Sequence, residues 1–163
     1  MQKLSYVIPC YRSEHTLPDV VAEITAKMKT LPRYSYEIIL VNDCSPDDTI
    51  GTIRRLVAAD AHVQGVDLAR NFRQHAALMA GFHQCSGDVI GCLDDDGQTP
   101  ADEVDRLLER IEAGYDVVYA RYDNKKQAGW RNLGSWVNSK MTEIMLDKPA
   151  ELVVNSYFAA RRF

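Results

Sequence analysis

The sequence predicts an α/β fold in which a mostly parallel, doubly wound β-sheet is covered by helices on both faces. Short runs rich in β-branched residues alternate with segments whose apolar residues recur with the period of an α-helix. The short runs are mostly apolar on both faces, as strands inside a parallel sheet are. Strict strand–helix–strand alternation favours the crossover connections that join parallel strands.

Five runs are predicted to form strands. In chain order they are residues 4–9 (LSYVIP), 36–42 (YEIILVN), 63–69 (VQGVDLA), 88–93 (DVIGCL) and 115–121 (YDVVYAR). The segment ELVVNSYFAARRF, which ends at Phe163, is predicted to contain another strand. Because the chain stops inside it, we expect the chain to be truncated at its C-terminal end.

Helices are predicted where apolar residues share one face. The stripes are Leu17, Val20, Val21, Ile24, Met28 and Leu31; Ile50, Ile53, Leu56 and Val57; Phe72, Ala76, Met79 and Phe82; and Trp130, Leu133, Val137, Met141 and Ile144. Three helix starts pair a hydroxyl residue with an aspartate three positions later: Thr16 with Asp19, Ser45 with Asp48, and Thr99 with Asp102. This pattern predicts capping boxes, so we expect these aspartates to be caps and not catalytic groups.

The composition of the chain excludes several classes of function. The 163 residues suffice for one domain with a core, and the formal net charge of −4, with scattered basic residues, gives no support to nucleic-acid binding. No apolar run approaches the roughly 18 residues of a membrane span, and no signal peptide precedes the first strand, which predicts a cytoplasmic chain. The four cysteines lack C-x-x-C spacing and are expected to be reduced structural thiols.

Polar side chains follow four of the predicted strands where each strand ends. They are Tyr11, Arg12 and Glu14; Asn42, Asp43 and Ser45; Arg70 and Asn71; and Asp94, Asp95 and Asp96. Ligands of open parallel sheets bind beyond the carboxyl ends of the strands. We therefore expect these four groups to face one crevice.

Asp94 and Asp96 are candidate ligands of Mg²⁺ or Mn²⁺. Two positions apart in an extended segment, their side chains point the same way and could share one hard cation with phosphate oxygens, whereas Asp95 would face elsewhere. Such a cation would screen the repulsion between the carboxylates and neutralise charge on a departing diphosphate. The spacing alone fits an acidic turn before a helix cap equally well.

Five blocks of the sequence resemble successive motifs of family 2 glycosyltransferases, in order and over nearly the whole chain. They are LSYVIPCYRSEHTLPDVV, EIILVNDCSPDDT, LARNFRQHAALMAGF, GDVIGCLDDDGQTPADEVDRLLERIEAGYDVV and the tryptophan-containing helix of residues 130–146. The likeness is to the branch typified by dolichyl-phosphate mannosyltransferase and bacterial undecaprenyl-phosphate sugar transferases. It implies a single GT-A catalytic domain over residues 1–163, with a Rossmann-like, doubly wound, mostly parallel sheet.

The resemblance also implies site residues. Those expected to bind the nucleotide sugar are Pro9, Tyr11, Glu14, Asp43, Arg70, Asn71, Gln74, Asp94 and Asp95. Asp94 and Asp96 match the D-x-D metal ligands of the family and, with Gln98, its catalytic residues, while Asp43 matches the acid that accepts a hydrogen bond from the base. Without the resemblance, Arg70 would be read as a surface ion pair and Gln74 as a solvated helix position.

The implied activity is inverting transfer of a sugar from a UDP or GDP sugar to polyprenyl phosphate or another glycan acceptor. The branch usually carries an aspartate or a glycine-rich turn before its FRL strand. At that place this chain has LVVNSYFAARRF and offers only Asn155 and Ser156, neither of which can act as a base. A phosphomonoester needs no base, because its second pKa is about 6. Cations that could guide the acceptor phosphate are Arg121, Lys125, Lys126 and Arg131.

Membrane association, at the cytoplasmic face, is expected of segments beyond the chain.

Two other functions compete with this interpretation. A sugar nucleotidyltransferase would need a glycine-rich phosphate loop after the first strand, and IPCYRSEHT contains no glycine. A non-catalytic or degenerate nucleotide-sugar binder is favoured by the unusual VVNSYF segment. Turnover with a lipid phosphate would distinguish the enzyme from the binder.

Overall fold

The computed structural model describes residues 2–97, 103–120 and 156–162. The elements within these ranges are β1 (Gln2–Cys10), α1 (Leu17–Lys29), β2 (Tyr34–Asn42), α2 (Thr49–Ala59), β3 (Val63–Asp67), α3 (Gln74–Gln84), β4 (Val89–Cys92), α4 (Val104–Glu112), β5 (Val117–Tyr119) and β6 (Phe158–Arg161). All the strands predicted from the sequence are confirmed. The helix predicted at residues 130–146 and the capping residues Thr99 and Asp102 lie outside the described residues.

The strands form one sheet in the order β3-β2-β1-β4-β6-β5. The strands β1 to β4 are parallel, and β6 runs antiparallel to both of its neighbours, β4 and β5. The mostly parallel sheet is thereby confirmed. Because the chain adds β2 and β3 on one side of β1 and β4 on the other, the strand order reverses at β1, and the crevice beyond β1 and β4 is the expected ligand site.

Each face of the sheet is covered by apolar side chains, which explains why the central strands are mostly apolar. Alternating residues of β1 and β2 point to opposite faces. One face carries Leu4, Tyr6, Ile8, Ile38 and Leu40 and packs against α1, α2 and α4, and the other carries Val7, Ile39 and Val41 and packs against α3. Within the described part of the chain, no helix has the length and apolarity to cross a bilayer.

The predicted apolar stripe of α3 is wrong for Phe72 and Met79, whereas Phe82 packs against the buried cluster on this face of the sheet. Phe72 precedes the helix and is 44% exposed, and Met79 is 55% exposed, whereas the buried residues of the helix are Ala77 and Gly81. Small side chains on this face let the helix approach the sheet closely, while Leu78 and Phe82 pack against the edge of the buried cluster.

Gly81→Ala is expected to destabilise the protein by about 1 kcal/mol or more, although alanine favours helices. A Cβ at this position would overlap Cγ1 of Val7 and lie 3.1 Å from Cγ2 of Val41. Urea unfolding measures the change. Met79→Ala, on the exposed side of the same helix, is the control and should shift stability by less than about 0.5 kcal/mol. An unchanged midpoint for Gly81→Ala would contradict the close approach.

The predicted capping boxes of α1 and α2 are also wrong. Neither N-cap side chain, Thr16 or Asp48, makes a capping hydrogen bond. The α2 helix begins at Thr49, whose N–H donates to Oδ1 of Asp47 at 3.3 Å. Ser45 stays in the preceding loop because its hydroxyl donates to Asp47 and its N–H donates to Oδ1 of Asn42 (3.1 Å). Asp48 instead pairs with Arg55 at 3.2 Å.

The four cysteines are free thiols, as expected. Cys10, Cys85 and Cys92 are buried, and Cys44 is exposed. Burial raises the pKa of the Cys10 and Cys92 thiols well above its ordinary value, which keeps them protonated and unreactive.

Candidate functional site

A cavity of about 630 Å³ opens at the carboxyl ends of β1, β2 and β4. Its lining is Pro9, Cys10, Tyr11, Asp43, Asn71, Arg73, Gln74, Asp94, Asp95 and Asp96. The cavity therefore brings together residues from the four polar groups that follow the predicted strands, or their immediate neighbours along the chain. These include most of the site residues inferred from the sequence. The parallel strands achieve this because their ends share one edge of the sheet.

Three of the inferred site residues are not among the lining residues. Glu14 accepts a hydrogen bond from the Asp48 N–H (2.7 Å) and lies 3.0 Å from Nε2 of His15, so its carboxylate joins two loops. The Arg70 guanidinium lies over the Phe72 ring, 4.6 Å from the centroid. Gln98 lies outside the described residues.

Asp43 anchors the loop before α3 to the end of β2. Its side chain is buried, and Oδ1 accepts the Phe72 N–H at 2.7 Å. The Asn71 side-chain amide donates to the Asp43 carbonyl at 3.1 Å. Two chain segments that are almost 30 residues apart in sequence are thus held together at the cavity wall. No donor from the described residues bonds the second carboxylate oxygen, which can accept another hydrogen bond.

Asp95 stabilises the loop after β1. Its Oδ2 accepts the Tyr11 N–H at 3.0 Å and the Ser13 hydroxyl. These contacts turn its carboxylate toward the β1–α1 loop. The alternation expected of an extended segment is not observed, because Asp95 and Asp96 lie in a turn and Asp95 lines the same cavity as Asp94 and Asp96. Ser13, only 2% exposed, was not singled out by sequence reasoning, because an isolated serine in a loop carries no pattern.

Asp94 is oriented by two donors from distant segments. The Gln74 side-chain amide donates to Oδ1 at 3.2 Å, and the Ser156 hydroxyl donates to Oδ2. Ser156 was considered from the sequence only as an inadequate base, and its contact with an aspartate 62 positions away has no local sequence signal. The exposed Asp96 follows at the same edge of the cavity.

The donor set of this edge fits a hard divalent cation. Mg²⁺ is usually held by one or two carboxylates, with substrate phosphates and water completing its shell, and Mn²⁺ prefers similar oxygen ligands. Asp94 and Asp96 supply two carboxylates at one side of the cavity. Over the described residues, no group of three or more histidine, cysteine, aspartate or glutamate side chains could hold a metal by itself.

Three non-glycine residues near this edge have positive φ angles. They are Arg12 (61°), Cys44 (50°) and Arg73 (72°). Arg12 and Cys44 follow β1 and β2 by two residues each, and Arg73 directly precedes α3. Backbone strain of this kind concentrates at functional sites, and residue type gives no indication of it when the residue is not glycine.

Comparison with known proteins gives a family match over nearly the whole chain. The model of the family described as "Glycosyl transferase family 2" matches residues 5–163. An undecaprenyl-phosphate 4-deoxy-4-formamido-L-arabinose transferase of Pseudomonas syringae pv. syringae is 38% identical over 155 residues, which cover 94% of this chain and 44% of that protein. The chain therefore spans less than half the length of this relative.

Solved structures share the fold at low sequence identity. A mannosyltransferase from Pyrobaculum calidifontis in complex with GDP-Man and Mn²⁺ has a TM-score of 0.70 and 16% identity, covering 99% of this chain and 45% of that one. The glucosyl-3-phosphoglycerate synthase of Mycobacterium tuberculosis, in complex with Mn²⁺, UDP-glucose and phosphoglyceric acid, has a TM-score of 0.72 and 19% identity, covering 98% and 56%. These likenesses confirm the GT-A fold expected from the sequence.

Proposed function

The chain belongs to glycosyl transferase family 2, and on this basis we propose that it is the catalytic part of a glycosyltransferase that moves a sugar from a UDP or GDP sugar to polyprenyl phosphate. The proposed reaction is a direct displacement at the anomeric carbon, with inversion and with a divalent metal ion. The observation that carries the proposal is the cavity in which the three aspartates after β4 meet Asp43 and Asn71.

The donor nucleotide fits the side of the cavity formed by the ends of β1 and β2. Asp43 retains an acceptor oxygen for an N–H group of the base, and its bond to Phe72 holds it in one orientation. Asp95 holds the β1–α1 loop, and with it Tyr11, at the cavity. The chain therefore supplies a prearranged wall for a flat, hydrogen-bonding ligand before that ligand arrives.

The diphosphate is proposed to lie at Asp94 and Asp96. A bound Mg²⁺ or Mn²⁺ would act there as a Lewis acid that neutralises charge developing on the leaving diphosphate. Gln74 and Ser156 hold the Asp94 carboxylate from both sides, so it is already oriented when the ligands bind. Both structural neighbours carry Mn²⁺ together with a nucleotide sugar, which supports this assignment.

Polyprenyl phosphate is the proposed acceptor. The relative from Pseudomonas syringae is named for an undecaprenyl-phosphate acceptor. A phosphomonoester is largely dianionic at neutral pH, since its second pKa is about 6, so attack needs no carboxylate base. The guiding cations proposed from sequence, Arg121, Lys125, Lys126 and Arg131, lie outside the described residues. A cytoplasmic location at the membrane surface is part of the same proposal.

Sugar transfer tests the function directly. The chain is incubated with UDP and GDP sugars, Mn²⁺ and a polyprenyl phosphate in detergent, and the lipid-linked sugar and its anomeric configuration are measured. We expect a product of inverted configuration with one of the two nucleotide classes. Binding of a nucleotide sugar without any transfer would overturn the proposal in favour of a non-catalytic binder, and a product with retained configuration would overturn the displacement mechanism.

A further inference from the structure

Arg73 is the feature of the cavity that neither the sequence motifs nor the proposed roles of the other residues explain. It lines the cavity beside Gln74, Asp94 and Asp96. Among the lining residues that the structure describes, four are aspartates, and Arg73 is the single cation. A phosphate-bearing ligand entering this cavity meets an excess of negative charge, which one divalent ion would offset only in part.

The backbone of Arg73 is strained. Its φ of 72° and ψ of 165° fall in a region that glycine occupies easily and that residues with a Cβ avoid. Such a conformation costs folding free energy and persists only where the surrounding structure imposes it. An arginine held there therefore destabilises the fold relative to glycine, and strain of this kind is concentrated at active sites and ligand-binding segments.

Among the residues that the structure describes, none occupies the Arg73 guanidinium, which leaves it for such a ligand. The backbone N–H of Arg73 donates to Oδ1 of Asn71 at 3.2 Å, and its carbonyl accepts the N–H groups of Ala76 and Ala77 at the start of α3. Within residues 2–97, 103–120 and 156–162, by contrast, no hydrogen bond or ion pair engages the guanidinium group. The loop thus positions the residue through its backbone and leaves the side chain, which is exposed, for another partner.

We propose that Arg73 is a phosphate-binding residue whose guanidinium forms charge-assisted hydrogen bonds with phosphate oxygens of the donor diphosphate or of the acceptor phosphomonoester. The planar fork of arginine matches two oxygens of one phosphate, which a lysine ammonium cannot do. This inference rests on the proposed function, because it takes the cavity to be the place where both phosphates meet. It adds a binding residue outside the D-x-D pair.

Binding measurements on Arg73→Gly and Arg73→Lys test the inference. Calorimetric titrations use UDP with Mn²⁺ for the donor and farnesyl phosphate for the acceptor. We expect Arg73→Gly to bind one of these two ligands about tenfold or more weakly than the wild type does. The ligand whose affinity falls identifies the phosphate that Arg73 binds. The affinity of Arg73→Lys for that ligand should lie between the affinities of Arg73→Gly and the wild type. Arg106→Ala, which removes an exposed positive charge on α4, should bind both ligands as the wild type does.

The melting temperature of the ligand-free protein separates lost binding from lost folding. Because glycine relieves the strain, Arg73→Gly should melt at least about 2 °C higher than the wild type while binding more weakly. If Arg73→Gly binds both ligands with the affinity of the wild type, the inference is overturned, even where the wild type transfers sugar. Weakened binding by Arg73→Gly with no transfer by the wild type would instead refute the proposed function and keep the phosphate assignment.

Discussion

Asp96→Asn is expected to lower the rate of sugar transfer by about 10³-fold, the largest effect on activity that we anticipate from one substitution. The variant keeps the size of the side chain and removes the negative charge that a divalent cation needs. Asp96 is exposed at the edge of the cavity, so its replacement should leave the core and the melting temperature of the ligand-free protein nearly unchanged. Rate measurements at saturating Mn²⁺ with a nucleotide sugar and polyprenyl phosphate give the effect.

Thermal unfolding gives a second measurement that does not depend on turnover. A ligand that binds only the native protein raises its melting temperature, so UDP with Mn²⁺ should stabilise the wild type and stabilise Asp96→Asn much less. Asp19→Asn removes an exposed carboxylate from the first turn of α1, outside the cavity, and should respond to UDP and Mn²⁺ as the wild type does. Equal stabilisation of Asp96→Asn and wild type would remove Asp96 from the metal site.

Glu37→Gln is expected to lower the free energy of unfolding by about 3 kcal/mol at pH 7, the largest effect on stability that we anticipate. The Glu37 side chain is buried on β2 at the end of the sheet opposite the cavity. Its carboxylate accepts hydrogen bonds from Nζ of Lys3 and the Ser5 hydroxyl, both at 2.6 Å, and from the Ser86 N–H at 2.7 Å. A neutral amide in this place would lose the ion pair and present its own N–H groups to donors.

The pKa of Glu37 determines how this contribution depends on pH. Burial raises the pKa, but the hydrogen bonds from Lys3, Ser5 and Ser86 outweigh it and lower the pKa from 4.5 to about 2. Because the folded-state pKa lies below the unfolded value, the stabilisation is fully present above about pH 5 and is lost as the pH falls toward 2. The wild type should therefore lose stability across this range more steeply than Glu37→Gln.

Urea unfolding at pH 7, 5, 4 and 3 tests both statements. Glu109→Gln, an exposed carboxylate on α4, should follow the wild-type curve and controls for the loss of one negative charge. Part of the acid sensitivity should remain in Glu37→Gln, since hydrogen bonds from Ser45 and Thr49 overcome burial and lower the pKa of Asp47 to about 2 as well. Parallel stability curves for Glu37→Gln and the wild type would show that Glu37 does not bear the depressed pKa.

The candidate site could be predicted in part because its components follow strands that are recognisable locally. The three aspartates after β4 and Asp43 after β2 each stand directly at the end of an apolar run, and parallel strands bring such ends to one edge. Arg73 could not be recognised in the same way. The role proposed for it rests on its φ angle and on the aspartates that line the cavity with it, and neither is encoded in the neighbouring residues.

The sequence by itself determined the order of strands and helices and the doubly wound class, because periods of 2 and 3.6 residues are properties of short segments. Only the tertiary structure decided that β6 enters antiparallel between β4 and β5, that α3 buries Gly81 instead of Met79, and that Ser156 holds Asp94. Each of these depends on contacts between residues far apart in the chain. Such contacts follow from how the elements pack in space, and no local pattern of residues specifies that packing.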